Sequence, residues 1–111
     1  MTAVSRSSAA DQAAKVAKFV GALPPKSVDF QSVDASTGDL AAVFKGADAV
    51  VSCVGVVPGG KNQLAGNGAV NVRIADAAAS AKVPKMVYVS VASAISDGPG
   101  KFIFGDYMKG K

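Results

Sequence analysis

Ala49-Val-Val-Ser-Cys-Val54 decides the fold, because nearly all of its residues are apolar and only Ser52 interrupts them. Such a run is typical of a strand that helices cover on both faces, in the middle of a parallel sheet. A second run of the same kind, Met86-Val-Tyr-Val-Ser-Val91, follows later in the chain. The two runs predict two buried strands of an α/β sheet.

A helix is predicted on the N-terminal side of these strands. A short extended piece, Thr2–Ser5, is followed by Ser8 and Asp11, whose spacing has the form of a capping box at a helix start. Gly21 is expected to end this helix. The residues at helical spacing that form its apolar face are Ala13, Val16, Ala17 and Val20.

An edge strand and a second helix come next. Val28–Val33 mostly alternates apolar with polar residues, which predicts a half-exposed edge strand. Ser36 and Asp39 repeat the capping pattern, and the second helix is expected to end near Gly46. The apolar stripe of this helix is Leu40, Val43, Phe44 and Ala47.

A third helix connects the two buried strands. The Gly/Pro-rich loop Gly55–Gly60 precedes it, and Pro84 follows it. Strands and helices therefore alternate along the chain with short connections, which predicts an α/β fold with a parallel sheet. The apolar positions of the third helix are Val70, Ile74, Ala77, Ala78 and Ala81.

Size and composition indicate one packed domain. A chain of 111 residues has room for a single hydrophobic core, and 50% apolar with 18% charged residues excludes a disordered chain. No apolar run approaches the ~18 residues of a membrane-spanning helix. We therefore expect no membrane span.

The residue types that are missing exclude several kinds of site. Without His or Glu, the chain has no Ser-His-Asp triad, no His zinc site and no pair of Glu acid/base groups. Cys53 is the only cysteine, which excludes an internal disulfide and a Cys-only metal cluster and favours a reducing compartment. We predict no metal site. The net charge of +4 comes from scattered lysines, so no nucleic-acid partner is predicted either.

Tyr107 and Lys111 have the spacing Tyr-x-x-x-Lys, which places both side chains on one face of a helix. A phenol has an ordinary pKa of about 10 and is a poor acid or base at neutral pH, whereas a nearby ammonium favours its phenolate. The pair is therefore a candidate acid/base pair. The alternatives are an alternating strand and a solvated helix face, since lysine is frequent in this chain and the spacing can arise by chance.

Ser5, Arg6 and Ser7 lie where the first strand gives way to the first helix. In a nucleotide-binding sheet this turn meets the adenosine ribose, and a guanidinium there would bind a 2′-phosphate. No acidic residue stands at the turn, so the pattern favours NADP over NAD. Asp34, just after the edge strand, is a candidate acceptor for the adenine amino group. The alternatives are a surface position for Arg6 and a turn or capping residue for Asp34.

Further candidates follow the central strand. Cys53 and Gly55 end it, and a glycine there lets the main chain approach a ligand at the carboxyl edge of the sheet. The alternative for Gly55 is a simple turn. Asn67 and Asn71 lie on one face of the third helix, where they could order a water or a cofactor amide.

Taken together, these residues resemble the atypical and extended short-chain dehydrogenase/reductases. The segment Gly105-Asp-Tyr107-Met-Lys-Gly-Lys111 resembles one branch of that family in particular. This branch holds the 39-kDa NAD(P)H-binding accessory subunit of mitochondrial complex I, a coenzyme Q biosynthesis protein and plastid relatives. The matching stretches, in family order, are Val4–Ser7, Asp34, Gly46–Gly55, Asn67–Asn71, Val87–Ser90 and Tyr107–Lys111.

The resemblance implies part of a doubly wound, Rossmann-like parallel sheet with strand order 3-2-1-4-5. Residues 1–111 would supply the second to fifth strands and the start of the next helix of one NAD(P)-binding domain. The family's first strand and glycine-rich loop would precede Thr2, so we expect a fragment. Its strand pairs 2-3 and 4-5 would lack the strand between them, which predicts a marginal or aggregation-prone chain.

The resemblance also implies functions. In an oxidoreductase, Tyr107 would be the acid/base, Lys111 would tune it and hold the ribose, and Ser90 or Ser93 would orient a substrate carbonyl; Ser93 suits the loop position better. The expected cofactor is NADP(H), and the fragment is expected to be inactive alone. The alternatives are a noncatalytic NADPH-binding subunit of a large complex in a mitochondrion or plastid, and a regulatory nucleotide sensor.

Overall fold

The computed structural model describes residues 1–56 and 61–90, and the chain divides into two compact units, residues 1–39 and 40–111. The first unit consists of strand β1 (Thr2–Ser5), helix α1 (Ala9–Val20) and strand β2 (Asp29–Ser32). The two strands form a parallel two-stranded sheet in which Thr2 lies opposite Asp29. α1 packs against β2.

Both ends of α1 lie where the sequence predicts them. Ser8 is the N-cap: its Oγ accepts from the Asp11 main-chain N–H at 3.1 Å and donates to the Asp11 carboxylate at 2.8 Å. At the other end, Gly21 adopts a left-handed conformation with φ +72° and donates its N–H to Ala17 O at 2.9 Å. These two caps satisfy main-chain groups that would otherwise lack partners in the helix.

The second unit contains helix α2 (Leu40–Phe44), strand β3 (Val50–Ser52), a π-helical turn (Ala65–Ala69), helix α3 (Val70–Ser80) and strand β4 (Met86–Tyr88). β3 and β4 form a separate parallel pair. The predicted order of strands and helices is therefore confirmed, and so are the two parallel pairs that the resemblance implies.

The expected capping box at the start of α2 was wrong. Ser36 lies in a turn of its own: its main-chain N–H donates to Asp34 Oδ1 at 2.8 Å, and its hydroxyl donates to the same oxygen. Gly38 closes that turn with an N–H bond of 2.7 Å to Asp34 O. The helix begins only at Leu40, because the short Asp34 side chain competes for the nearby donors.

The core of the second unit lies on one side of its sheet. α3 contacts both strands and α2 packs against α3. On the opposite side, Val51 and Val87 lie side by side in register and are 63% and 54% exposed. The prediction that β3 is covered on both faces is wrong for the described residues. Among the described residues of this unit, the buried apolar ones are Leu40, Phe44, Val50, Ile74 and Ala78.

The one-sided core predicts that substitutions at two nearby positions of α3 differ in their effect on the free energy of unfolding. Ile74 is buried and Val72 is 61% exposed. Ile74→Ala should lower the free energy of unfolding by about 2–5 kcal/mol, because it leaves a cavity. Val72→Ala should change it by less than about 0.5 kcal/mol. Urea unfolding followed by circular dichroism measures both values, and equal losses would contradict the described core.

Candidate functional site

The carboxyl end of the first strand pair gathers several candidate residues. β1 and β2 are parallel, and the Val33 N–H continues their pairing by donating to Ser5 O at 2.9 Å. The turn of residues 5–7 and Asp34 therefore follow neighbouring strand ends at the same edge of this sheet. The structure thus places Ser5, Arg6, Ser7 and Asp34 at one edge of this sheet, and their contacts with a nucleotide stay a prediction.

The β1–α1 turn carries two cations. Arg6 is exposed, and Lys15 reaches back along α1 to donate from Nζ to Ser7 Oγ at 3.2 Å. The Ser7 N–H donates to Ser5 Oγ at 3.0 Å, which tightens the turn. Sequence reasoning missed Lys15. Its position seven residues after the N-cap Ser8 was the available signal, because residues i and i+7 share a helix face.

A buried amide holds this turn in place. Gln12 is 8% exposed, and its Nε2 donates to both Ser7 O and Gln31 O at 2.9 Å. One side chain therefore joins the turn to the middle of β2. The sequence does not predict these bonds, because a glutamine at the start of a helix is ordinarily a solvated residue.

The Asp34 carboxylate takes part in its own turn, where Oδ1 accepts two hydrogen bonds from Ser36. This is the turn function that the sequence analysis held open beside the adenine contact. The adenine contact itself stays a prediction.

The carboxyl end of β3 has a buried polar network. Ser52 is 3% exposed, and its hydroxyl donates to Asn71 Oδ1 at 2.6 Å. Asn71, 7% exposed, donates from Nδ2 to Val54 O at 3.0 Å and to Asn67 O at 2.7 Å. Its amide is thus bonded within the protein. Cys53 and Gly55 are both exposed beside this network.

Comparison with known proteins identifies the family. A family model described as NAD(P)H-binding matches residues 2–111. The chain belongs to this NAD(P)H-binding family. No curated protein and no solved structure matches it.

The turn residues of this NAD(P)H-binding domain fit an anionic part of the dinucleotide. Two cations and the N-terminus of a twelve-residue helix lie together, and such a helix end favours negative charge. Asp11 and Asp34 are also near this edge, but their carboxylates accept hydrogen bonds from Ser8 and Ser36.

Other predicted residues lie outside the described part of the chain: Ser93, Tyr107 and Lys111. Within residues 1–56 and 61–90, no group of three or more His, Cys, Asp or Glu residues could hold a metal ion. Over the same ranges, no helix has the length and apolar character needed to cross a membrane.

The Gln12 bonds predict a stability difference between two glutamines. Gln12→Ala removes the donor from two carbonyls, which should lower the free energy of unfolding by about 1–3 kcal/mol. Gln31→Ala removes only an exposed 2.8 Å bond to Asp29 and should cost less than about 0.5 kcal/mol. Urea unfolding of both variants measures the difference. A Gln12→Ala variant with an unchanged free energy of unfolding would contradict the stabilising function of the two Gln12 hydrogen bonds.

Proposed function

We propose that this chain is the NADP(H)-binding part of an oxidoreductase-like domain of the atypical short-chain dehydrogenase/reductase type. The observation that carries the cofactor choice is the pair of cations at the β1–α1 turn, where Lys15 Nζ lies 3.2 Å from Ser7 Oγ beside the exposed Arg6. The 2′-phosphate that distinguishes NADP from NAD is an anion, and two cations at the ribose-binding turn favour it.

The chemistry of the turn also disfavours NAD. NAD-binding domains of this kind use a carboxylate to accept a hydrogen bond from the ribose 2′-hydroxyl. Residues 5–8 contain no acid, and the nearby Asp11 carboxylate accepts from Ser8 Oγ. A planar guanidinium such as that of Arg6 binds a phosphate through two parallel hydrogen bonds, and the Lys15 ammonium adds a second charge.

Turnover is proposed from the resemblance. When bound, the nicotinamide ring would donate or accept a hydride. Tyr107 would exchange a proton with the substrate oxygen, Lys111 would favour the tyrosinate and hold the ribose, and Ser93 would orient a carbonyl. The substrate class that follows is a small carbonyl compound or its alcohol.

A noncatalytic role is the second candidate. This role is favoured by the segment Gly105–Lys111, which resembles the branch containing an NAD(P)H-binding accessory subunit of mitochondrial complex I. In this role the nucleotide would stabilise the fold within a large organellar complex, and no substrate would turn over. Localisation to a mitochondrion or plastid belongs to this proposal.

The proposal includes a larger nucleotide-binding sheet. Each described parallel pair has only two strands, whereas the resembled family joins such pairs through a central strand that carries a glycine-rich loop. We therefore propose that residues 1–111 act as part of a longer domain. The binding experiments below use both this chain and a chain extended to include the proposed central strand, called the longer protein below.

Removing either cation should weaken NADPH binding selectively. Arg6→Ala and Lys15→Ala should each raise the Kd for NADPH about tenfold or more, because a charge-assisted contact is lost, and should leave the Kd for NADH within about twofold. Lys18→Ala, an exposed lysine in the last turn of α1, is the control. Calorimetric titration measures all four proteins. Equal affinity of the unmodified protein for NADPH and NADH would overturn the NADP assignment.

A tyrosine variant separates the two candidate functions. Tyr107→Phe should abolish hydride transfer to carbonyl substrates while leaving the Kd for NADPH unchanged, because only the proton-transferring hydroxyl is lost. Nicotinamide absorbance in a screen of carbonyl compounds measures turnover. If the longer protein binds NADPH tightly but reduces nothing in the screen, the noncatalytic function gains support.

A further inference from the structure

Two buried asparagines form hydrogen bonds with the main chain of the loop that follows β3. The Val56 N–H donates to Asn67 Oδ1 at 2.8 Å, and Asn67 Nδ2 donates back to Val56 O at 3.3 Å. One side-chain amide thus pairs with both main-chain groups of a single residue, as a neighbouring strand would. Asn71 adds the 3.0 Å bond from Nδ2 to Val54 O. Asn67 is fully buried, and its exposed fraction is 0%.

The backbone around Asn67 is shaped for this contact. A Cβ atom at Gly66 would lie 2.3 Å from Val56 Cγ2, so a larger residue there would displace the Val56 side chain. Asn67 lies in the π-helical turn Ala65–Ala69, where the Val70 N–H donates to Ala65 O. Single π-helical turns of this kind occur frequently at functional sites.

The asparagines bond alternate residues of the loop, Val54 and Val56. The intervening residues Cys53 and Gly55 are exposed, and so is Val54 at 37%. Cys53 and Gly55 lie at the carboxyl end of β3, the end at which open α/β sheets bind their ligands. Because Gly55 has no side chain, a ligand can approach its main chain closely.

We infer that Asn67 and Asn71 are positioning residues of the nucleotide site, which act by holding the main chain of Cys53 and Gly55 against the dinucleotide. The inference rests on the proposed function and concerns the loop after β3 in the second unit alone. Asn71 accepts from Ser52 and donates twice with Nδ2, so its amide is engaged by the protein. This engagement favours action through the loop over direct contact with the ligand.

The nucleotide affinity of the full chain and of the longer protein tests the inference. Asn67→Ala should raise the Kd for NADPH about tenfold, because the freed loop loses two buried bonds. Ile74→Ala is the matched control, since Ile74 is a buried residue of the adjoining helix without a hydrogen bond to the loop. Its Kd, corrected for the folded fraction by circular dichroism, should stay within about twofold of the unmodified value.

A substitution that keeps both asparagines provides an independent test. Gly66→Ala should also weaken NADPH binding, because the new methyl group displaces Val56. Adding Val56→Ala removes the clashing methyl group and should restore the affinity. If Gly66→Ala has the affinity of the unmodified protein, or if the double variant is not rescued, the inference is overturned.

Amide hydrogen exchange distinguishes the possible failures. Exchange at the Val56 N–H, which donates to Asn67 Oδ1, should be faster in Asn67→Ala than in Val72→Ala, whether or not nucleotide is present. If exchange is unchanged, the positioning function fails. If the unmodified protein binds neither NADPH nor NADH, the proposed function fails and the positioning function with it. If NADPH binds but Asn67→Ala and Ile74→Ala have equal Kd values, only the positioning function fails.

Discussion

Main-chain groups that leave a parallel strand lose their ladder partners, and in this chain buried side-chain amides replace those partners. Gln12 bonds the turn after β1 to β2, and Asn67 and Asn71 bond the loop after β3. In each case the amide comes from the helical segment that follows the loop. The carboxyl edges of both strand pairs therefore have a defined main-chain path.

An amide suits this task because it supplies donors and an acceptor without a charge. A buried carboxylate would carry a desolvation cost and would face carbonyl oxygens that it cannot bond. Few apolar residues are buried in the described part of the chain. Each hydrogen bond at these edges adds a net stabilisation of about 1 kcal/mol. A nucleotide bound at the same edges would add stability by mass action, about 2.7 kcal/mol at a hundredfold excess over Kd.

The sequence predicts the secondary-structure elements better than it predicts the tertiary contacts between them. The ends of α1 follow from Ser8 and Gly21, whose capping functions are local and need no distant partner. The uncovered face at Val51 shows where such reasoning stops, because an apolar pattern reports which side chains gain from burial and not which helix covers them. Asn67 appears in the sequence as a polar residue on a helix face. Its bonds to Val56 depend on a π-helical turn and on the close approach at Gly66, which spacing alone does not encode.

The charged side chains and the amide side chains at these edges have different functions. Arg6 and Lys15 are exposed, and a charge that remains hydrated can select an anionic group without a desolvation cost in the free protein. Gln12 and Asn67 are buried and bonded to the main chain, so they can fix a geometry but cannot themselves discriminate between two dinucleotides. Substitution of Arg6 or Lys15 should therefore change the preference between NADPH and NADH. Substitution of Gln12 or Asn67 should instead weaken the binding of both nucleotides. This separation follows from burial and charge, and it holds for the proposed enzyme and for the proposed accessory subunit alike.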